Sequence, residues 1–373
     1  MTDQKQTPVR YGLIGAGSFG QFCLQQYEQL DEVRAVAVAD VNPDTARFAA
    51  DTLGIEAAES ADALLARDDI DLVHIATPPF THRELAMKAL QAGKHVLCEK
   101  PLATSEGDAE QMIAAARERG LVLSVNLIMR HDPLCEAVRQ IVREGLLGEP
   151  LHGFFENYAK DEPLLPDHWF WKPELSGGIF IEHGVHFFDL VSWWLGPGEI
   201  ACAQEVHRPG AEFIEQVHAT VRYPRGVLMN FYHGFTQPTR MDRQEMRLVF
   251  ERGMLRLFEW VPTEIELDFL ADADTLARIR ELLPGNELVS ERLYEHKERE
   301  VMGRHKQFTA DGRYLLRAGT GMTKPELYGH VLRSLLADQI AAIRNPAHER
   351  RITEENGYTS LQTAVRAQEM ASR

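Results

Sequence analysis

Glu182, His183, His186 and Asp189 stand close together in the otherwise apolar stretch GGIFIEHGVHFFDLV. Wound as an α-helix at about 100° per residue, the four fall in one arc, with Val185, Phe187, Phe188, Val191 and Leu195 opposite. Burying imidazoles and carboxylates is costly unless they are paired or put to use, so the cluster reads as a site rather than as core. A histidine exchanges its proton near neutrality, which suits it to take the hydroxyl proton of a carbinol during oxidation or to return one to a ketone. Glu182 and Asp189, one turn either side of His186, are expected to raise its pKa, with burial opposing them. Lys100, in Glu99-Lys100-Pro101, brings a cation that would stabilise a developing alkoxide. Without the histidine cluster it would read as a solvated loop lysine.

A hydride carrier is implied by a second motif. Gly15-Ala16-Gly17-Ser18-Phe19-Gly20 directly follows an apolar run and opens a helical pattern. The first glycine permits a tight turn, the second lets a diphosphate approach the backbone, and the third allows close helix–strand packing. The helix N-terminus then offers free N–H groups to phosphate. Asp40 ends the next apolar run, twenty residues past Gly20, where a carboxylate binds ribose hydroxyls. Read alone, these residues would be a glycine-rich turn and a helix cap; strand, helix and acid in register favour the cofactor. Asp40 would repel a 2′-phosphate and Val41-Asn42-Pro43 brings no cation to hold one, so the expected cofactor is NAD, ahead of NADP. Thr77 and Pro78 fall at the carboxyl end of another strand, on the side where ligands bind.

The elements that must position these residues follow from periodicity. Val9–Ile14, Val33–Ala39, Leu72–Ile75, His95–Cys98 and Val122–Val125 read as buried strands, and 19–30, 43–53, 82–92 and 105–119 as amphipathic helices. This alternation predicts an α/β, doubly wound parallel sheet, a nucleotide-binding domain over residues 1–128. Residues 129–373 are expected to form an α+β domain on a largely antiparallel, open sheet that binds substrate and carries oligomerisation. There, a helix is predicted over 133–144, a strand over 151–158, antiparallel strands over 215–258 with turns at Pro224-Arg225-Gly226 and Glu251-Arg252-Gly253, and helices over 325–344 and from Thr353. The charged stretch 262–325 reads as a helical and loop insertion.

Composition narrows the function. A net charge of −16 over 373 residues argues against nucleic-acid binding, which needs clustered cations. Four scattered cysteines, Cys23, Cys98, Cys135 and Cys202, fit a reducing compartment better than a disulfide framework. Met1–Arg10 is polar with no leader-like apolar core, and no apolar run approaches the ~20 residues of a membrane span, so a cytoplasmic protein is expected. Glu182, His183 and His186 are close enough in sequence to share a cation, but their order is not the HExxH arrangement, and no metal is expected.

On these motifs the chain resembles the Gfo/Idh/MocA family of glucose–fructose oxidoreductase, inositol dehydrogenase and rhizopine-catabolism enzymes. The matches are GAGSFG, VAVAD ending in Asp40, IATPPFTH, VLCEKPLA, and SGG…HxxD followed by WWLG, in the family's order through Ile352-Thr353…Gly357. The resemblance implies Lys100 as the catalytic lysine, His186 as general acid/base, and Glu182, where the family has Asp, on a substrate hydroxyl or beside the histidine. It places His82 and Asn126, with the Glu99-Lys100 pair, near the nicotinamide, and makes the bond before Pro101 cis. His183 stands where an apolar residue is usual and is expected to touch substrate. The family also implies a sugar, polyol or glycoside substrate and a homodimer or homotetramer built on the second domain's exposed sheet. In Pro166–Lys172, an aromatic face including Trp169 would lie against a sugar ring, with His168 or Lys172 supplying polar contacts; core or interface packing explains the stretch equally well. Beside a simple dehydrogenase or reductase stands a redox-assisted glycoside hydrolase or lyase that uses tightly bound NAD transiently. A non-catalytic sensor on the same fold is opposed by the presence of Lys100 and His186.

Overall fold

Each apolar run of the first third is a strand buried on both faces, as parallel strands under helices must be. In the computed structural model, which describes residues 7–160, 164–304 and 306–373, the elements are β1 (Val9–Ile14), α1 (Ser18–Tyr27), β2 (Val33–Ala39), α2 (Pro43–Leu53), β3 (Glu56–Ala57), α3 (Ala61–Leu65), β4 (Leu72–Ile75), α4 (His82–Gln91), β5 (His95–Cys98), α5 (Glu106–Arg119) and β6 (Leu123–Val125). The first six residues of the stretch read as lacking a leader lie outside the described residues. The sheet runs β3-β2-β1-β4-β5-β6 with every pairing parallel. Local signals set the helix ends. The Asn42 side chain accepts from Asp44 N ahead of Pro43, and Gly54 closes α2 at φ 67°. Ser105 and Gly120 do the same for α5. β3 and α3 are too short to leave a periodic signature in sequence. Gly15, Asp40, Thr77, Glu99 and Asn126 each lie just beyond the carboxyl end of a strand, the ligand-binding side of such a sheet.

Downstream come α6 (Pro133–Arg143), β7 (Pro150–Lys160), α7 (Pro173–Ser176), α8 (Val185–Leu195), β8 (Glu199–Val206), β9 (Gln216–Arg222), β10 (Leu228–Gln237), β11 (Arg243–Phe250), β12 (Gly253–Phe258), β13 (Glu264–Ala271), α9 (Ala273–Leu282), β14 (Glu287–Leu293), β15 (Glu300–Met302), β16 (Gln307–Thr309), β17 (Gly312–Gly319), α10 (Lys324–Arg344) and α11 (Glu354–Ala371). Nine strands form one sheet in the order β14-β17-β13-β12-β11-β7-β10-β9-β8, and β15 pairs with β16 alone. The strands of 215–258 pair with one another antiparallel, as expected, while β10 also pairs in parallel with β7, which lies outside that stretch. One expectation needs correction. The stretch 262–325 is not an insertion: β13, β14 and β17 belong to the sheet, and among the described residues its helical parts are α9, a short 3-10 turn at His296–Arg299 and the start of α10. Its charges misled because they alternate with core residues and pair across strands, Arg313 with Asp268 at 2.6 Å and Arg317 with Glu266 at 2.9 Å.

By packing, the chain divides into two compact units. One is Met1–Ile128 with Asp167–Asp189 and Gly329–Val365; the other is Met129–Pro166 with Leu190–Tyr328 and Arg366–Arg373. The segment 167–189, which carries Glu182, His183, His186 and Asp189, groups by packing with the parallel sheet. Among the described residues no helix is long and apolar enough to cross a membrane. All four cysteines are free thiols, Cys202 exposed and the others buried.

Candidate active site

The glycine motif is shaped by what a side chain would strike. At Gly15, φ is 98° and a Cβ would come within 2.4 Å of Ala76 O; at Gly20 it would lie 2.0 Å from Gly15 O. Both positions therefore need glycine, for the turn and for the approach of α1 to β1. Gly17 differs. A Cβ there meets nothing within 4 Å, so the space over this residue is open. Gly17 and Ser18 are exposed, Phe19 is half-buried, and Gly17 caps α1 with no side-chain bond to its first N–H groups. The Asp40 carboxylate faces this loop, accepting from Ala16 N at 2.7 Å and from Asn42 N at 2.8 Å. Asn42, not Asp40, caps α2.

Beyond β4, Thr77 and Thr81 join hydroxyls at 2.6 Å and Thr81 donates to Pro78 O. His82 opens α4 and is fully buried, with Nε2 2.8 Å from Thr77 O and Nδ1 2.8 Å from Pro101 O. It ties the Thr77 loop to the Lys100 loop. A neutral ring carries one N–H and donates to one carbonyl at a time; desolvation opposes a second proton and depresses the pKa. The Lys100–Pro101 bond is cis. Glu99 is buried, and its Oε1 accepts from Asn126 Nδ2 at 2.7 Å while lying 2.8 Å from His74 Nε2.

The 167–189 motif corrects the simple helical wheel. Gly177 closes α7 at φ 81°, and Phe180–Gly184 then forms a π-turn before α8. The widened turn shifts Glu182 and His183 relative to His186, so a uniform 100° step misplaces them. The cluster nevertheless converges on Lys100. Its Nζ donates to Glu182 Oε1 at 2.5 Å and to Glu182 O at 2.8 Å. Glu182, His186 and Asp189 are buried. Burial, reinforced by the Lys100 charge, pushes the His183 imidazole down to about 3. His186 is held well below the ordinary histidine range by burial, then by Lys100 and His183. The expected rise at His186 is overturned: the Glu182 carboxylate is engaged by Lys100, and it is a cation that faces the ring. A lysine ammonium anchored by a carboxylate beside two neutral imidazoles is equipped to polarise an oxygen and receive its proton.

Comparison with known proteins identifies the family. The profile of an oxidoreductase family with an NAD-binding Rossmann fold, GFO/IDH/MocA, matches residues 9–127, and that family's C-terminal domain matches residues 135–256. A 1,5-anhydro-D-fructose reductase from Ensifer adhaerens is 32% identical over 61% of this chain and 69% of its own. A dTDP-3,4-didehydro-2,6-dideoxy-α-D-glucose 3-reductase from Saccharopolyspora spinosa is 30% identical over 86% of this chain and 92% of its own. The chain belongs to the Gfo/Idh/MocA family. It is accordingly an NAD(P)-dependent oxidoreductase of a family that acts on sugar-related substrates. In fold it resembles the WlbA dehydrogenase from Bordetella pertussis, solved with NADH and UDP-GlcNAcA, with a TM-score of 0.76 at 22% identity over 98% of this chain and 96% of that one.

Within this Gfo/Idh/MocA chain, His168 and Trp169 are bonded in their own turn. His168 Nδ1 accepts from Phe170 N at 3.2 Å, and its ring lies 5.0 Å from that of the half-buried Trp169. Sequence reasoning missed what lies behind Glu99. His74 and Tyr11 are fully buried and bonded to each other, and Cys23, His74 and Glu99 offer ligand-type atoms within 4.8 Å of one another. The available signal was His74 itself, one imidazole in the strand LVHI.

Proposed function

We propose that this protein is an NAD-dependent dehydrogenase or reductase that interconverts a carbinol and a ketone on a sugar, polyol or glycoside, with Lys100 and His186 as its catalytic pair. The observation that carries the reading is the Lys100 ammonium, anchored by the Glu182 carboxylate and carbonyl, charging the surroundings of His183 and His186. The residues present fit the dinucleotide. Open space over Gly17 and the uncapped start of α1 suit a diphosphate. Asp40 suits ribose hydroxyls and repels a 2′-phosphate. Thr77, Pro78, His82, Glu99 and Asn126 shape the nicotinamide side. When bound, the nicotinamide supplies or accepts the hydride. The chain's own residues handle the oxygen and the proton. Lys100 stabilises charge on the reacting oxygen, and Glu182 positions Lys100. His186, kept neutral by burial and by Lys100, takes the hydroxyl proton in the oxidative direction. His183, neutral at any working pH, serves as a hydrogen-bonding contact to substrate.

The test is to titrate NAD and NADP separately and then to screen sugars, inositols and glycosides for substrate-dependent absorbance of the reduced cofactor. Tighter NAD binding with net NADH formation supports the reading. Turnover of a glycoside without added or released cofactor would instead favour the redox-assisted hydrolase.

A further inference from the structure

A string of buried polar groups runs from the middle of the parallel sheet to its reacting end. Tyr11 on β1 places its hydroxyl 2.7 Å from His74 Nδ1 on β4. His74 Nε2 lies 2.8 Å from Glu99 Oε1 beyond β5, and the same oxygen accepts from Asn126 Nδ2 at 2.7 Å beyond β6. Tyr11 and His74 are fully buried, Asn126 is 2% exposed and Glu99 7%. A histidine buried here must be satisfied at both nitrogens. The bonding assigns its state. Burial keeps the Tyr11 proton in place; with the phenol donating to Nδ1, the ring presents an N–H on Nε2 to the carboxylate. Because that carboxylate only accepts, the Asn126 amide must turn its Nδ2 to Glu99, and its Oδ1 points elsewhere. Among the described residues that buried oxygen has no hydrogen-bond partner. A buried acceptor without a donor is costly, and the ligand chemistry that would satisfy it is an amide N–H.

We infer that His74, with its tautomer fixed by Tyr11, is a positioning residue: it locks Glu99, and through Glu99 the Asn126 amide, so that Asn126 Oδ1 is presented to the carboxamide of the nicotinamide. This rests on the dinucleotide reading above. Cys23, facing the pair from α1, remains a protonated thiol because burial raises its pKa. The three groups have metal-like spacing, but both His74 nitrogens are already engaged, so the string acts by hydrogen bonding and not by holding a cation.

The experiment compares NADH with ADP-ribose, which lacks the nicotinamide, by binding calorimetry on the full chain. In His74→Phe, NADH affinity falls about tenfold, the scale of one lost buried hydrogen bond, while ADP-ribose affinity is unchanged. His74→Gln, which keeps a donor toward Glu99, restores much of the loss. Tyr11→Phe, a milder change should His74→Phe fold poorly, weakens NADH selectively by a smaller factor. Retained ADP-ribose binding shows that each variant is folded. NADH binding equal to wild type in all three variants overturns the inference, as does a gain in wild-type melting temperature with zinc that chelator removes. Failure of wild type to bind either ligand overturns the dinucleotide reading itself.

Discussion

His183 is the group whose environment departs furthest from water with a definite value, and its removal should leave a pH signature. The folded-state pKa is about 3, against about 6.5 for an exposed histidine. A depressed pKa means the unfolded chain binds the extra proton first. The stability that His183 contributes is therefore fully present above about pH 6.5 and is lost as pH falls toward 3. At about 1.4 kcal/mol per pH unit, descending from 6.5 to 5 costs roughly 2 kcal/mol through this one ring. His183→Asn cannot take up that proton. Urea unfolding followed by circular dichroism at pH 7 and pH 5 should show wild type losing about 2 kcal/mol more than the variant over that interval. His186 is depressed first by burial and by Lys100, both of which the variant keeps, so its contribution largely cancels in the difference. Equal losses in the two proteins would mean that His183 is not held neutral by burial beside Lys100, and the electrostatic description of the site would be wrong.

The glycine motif separates stability from binding: Gly17→Ala should leave the melting temperature unchanged while weakening NAD, whereas Gly20→Ala, whose methyl meets Gly15 O, should lower both, read by thermal melts and cofactor titration. Asp40→Ala should weaken NAD and narrow or reverse its advantage over NADP; unchanged preference in parallel titrations would remove the charge argument. Glu182→Gln leaves the Lys100 ammonium without its counter-charge, and turnover should fall by about 10- to 100-fold with NAD affinity retained, read from steady-state kinetics. Oxidation should be insensitive to His186 titration from about pH 6.5 upward, since its folded pKa lies well below that; a pH–rate profile with an inflection near 7 assigned to this residue would contradict the depressed value.

Much of the first unit was legible because its signals are local. The strands called from Val9 to Val125 end within a residue of where periodicity puts them. The second sheet was harder. Charges such as Glu266 and Arg317 look like solvated helix or loop until their cross-strand partners are known, and pairing between distant strands leaves no short-range trace. Likewise β10 lies parallel to β7, 68 or more positions away in sequence, a choice made by the sheet and not by either strand. At the site, residue types pointed to Lys100 and the histidines, but not to the π-turn at Phe180–Gly184, and the sign of the His186 shift depended on which partner Glu182 chose. The Tyr11–His74–Glu99 string was hidden because its members come from two strands and the loop after a third.

The central claim is that Lys100 and His186 act on the oxygen and proton while other residues hold the cofactor. Single-turnover stopped-flow absorbance at 340 nm, a general property of reduced nicotinamides, tests it with saturating NAD and the substrate found by screening, in wild type, Lys100→Ala, His186→Asn and His183→Asn. The account predicts that Lys100→Ala abolishes the hydride step, that His186→Asn slows it by about 10²- to 10⁴-fold, that His183→Asn slows it far less, and that NAD affinity stays near wild type in all three. A wild-type rate in Lys100→Ala, or a larger loss from His183→Asn than from His186→Asn, would contradict it.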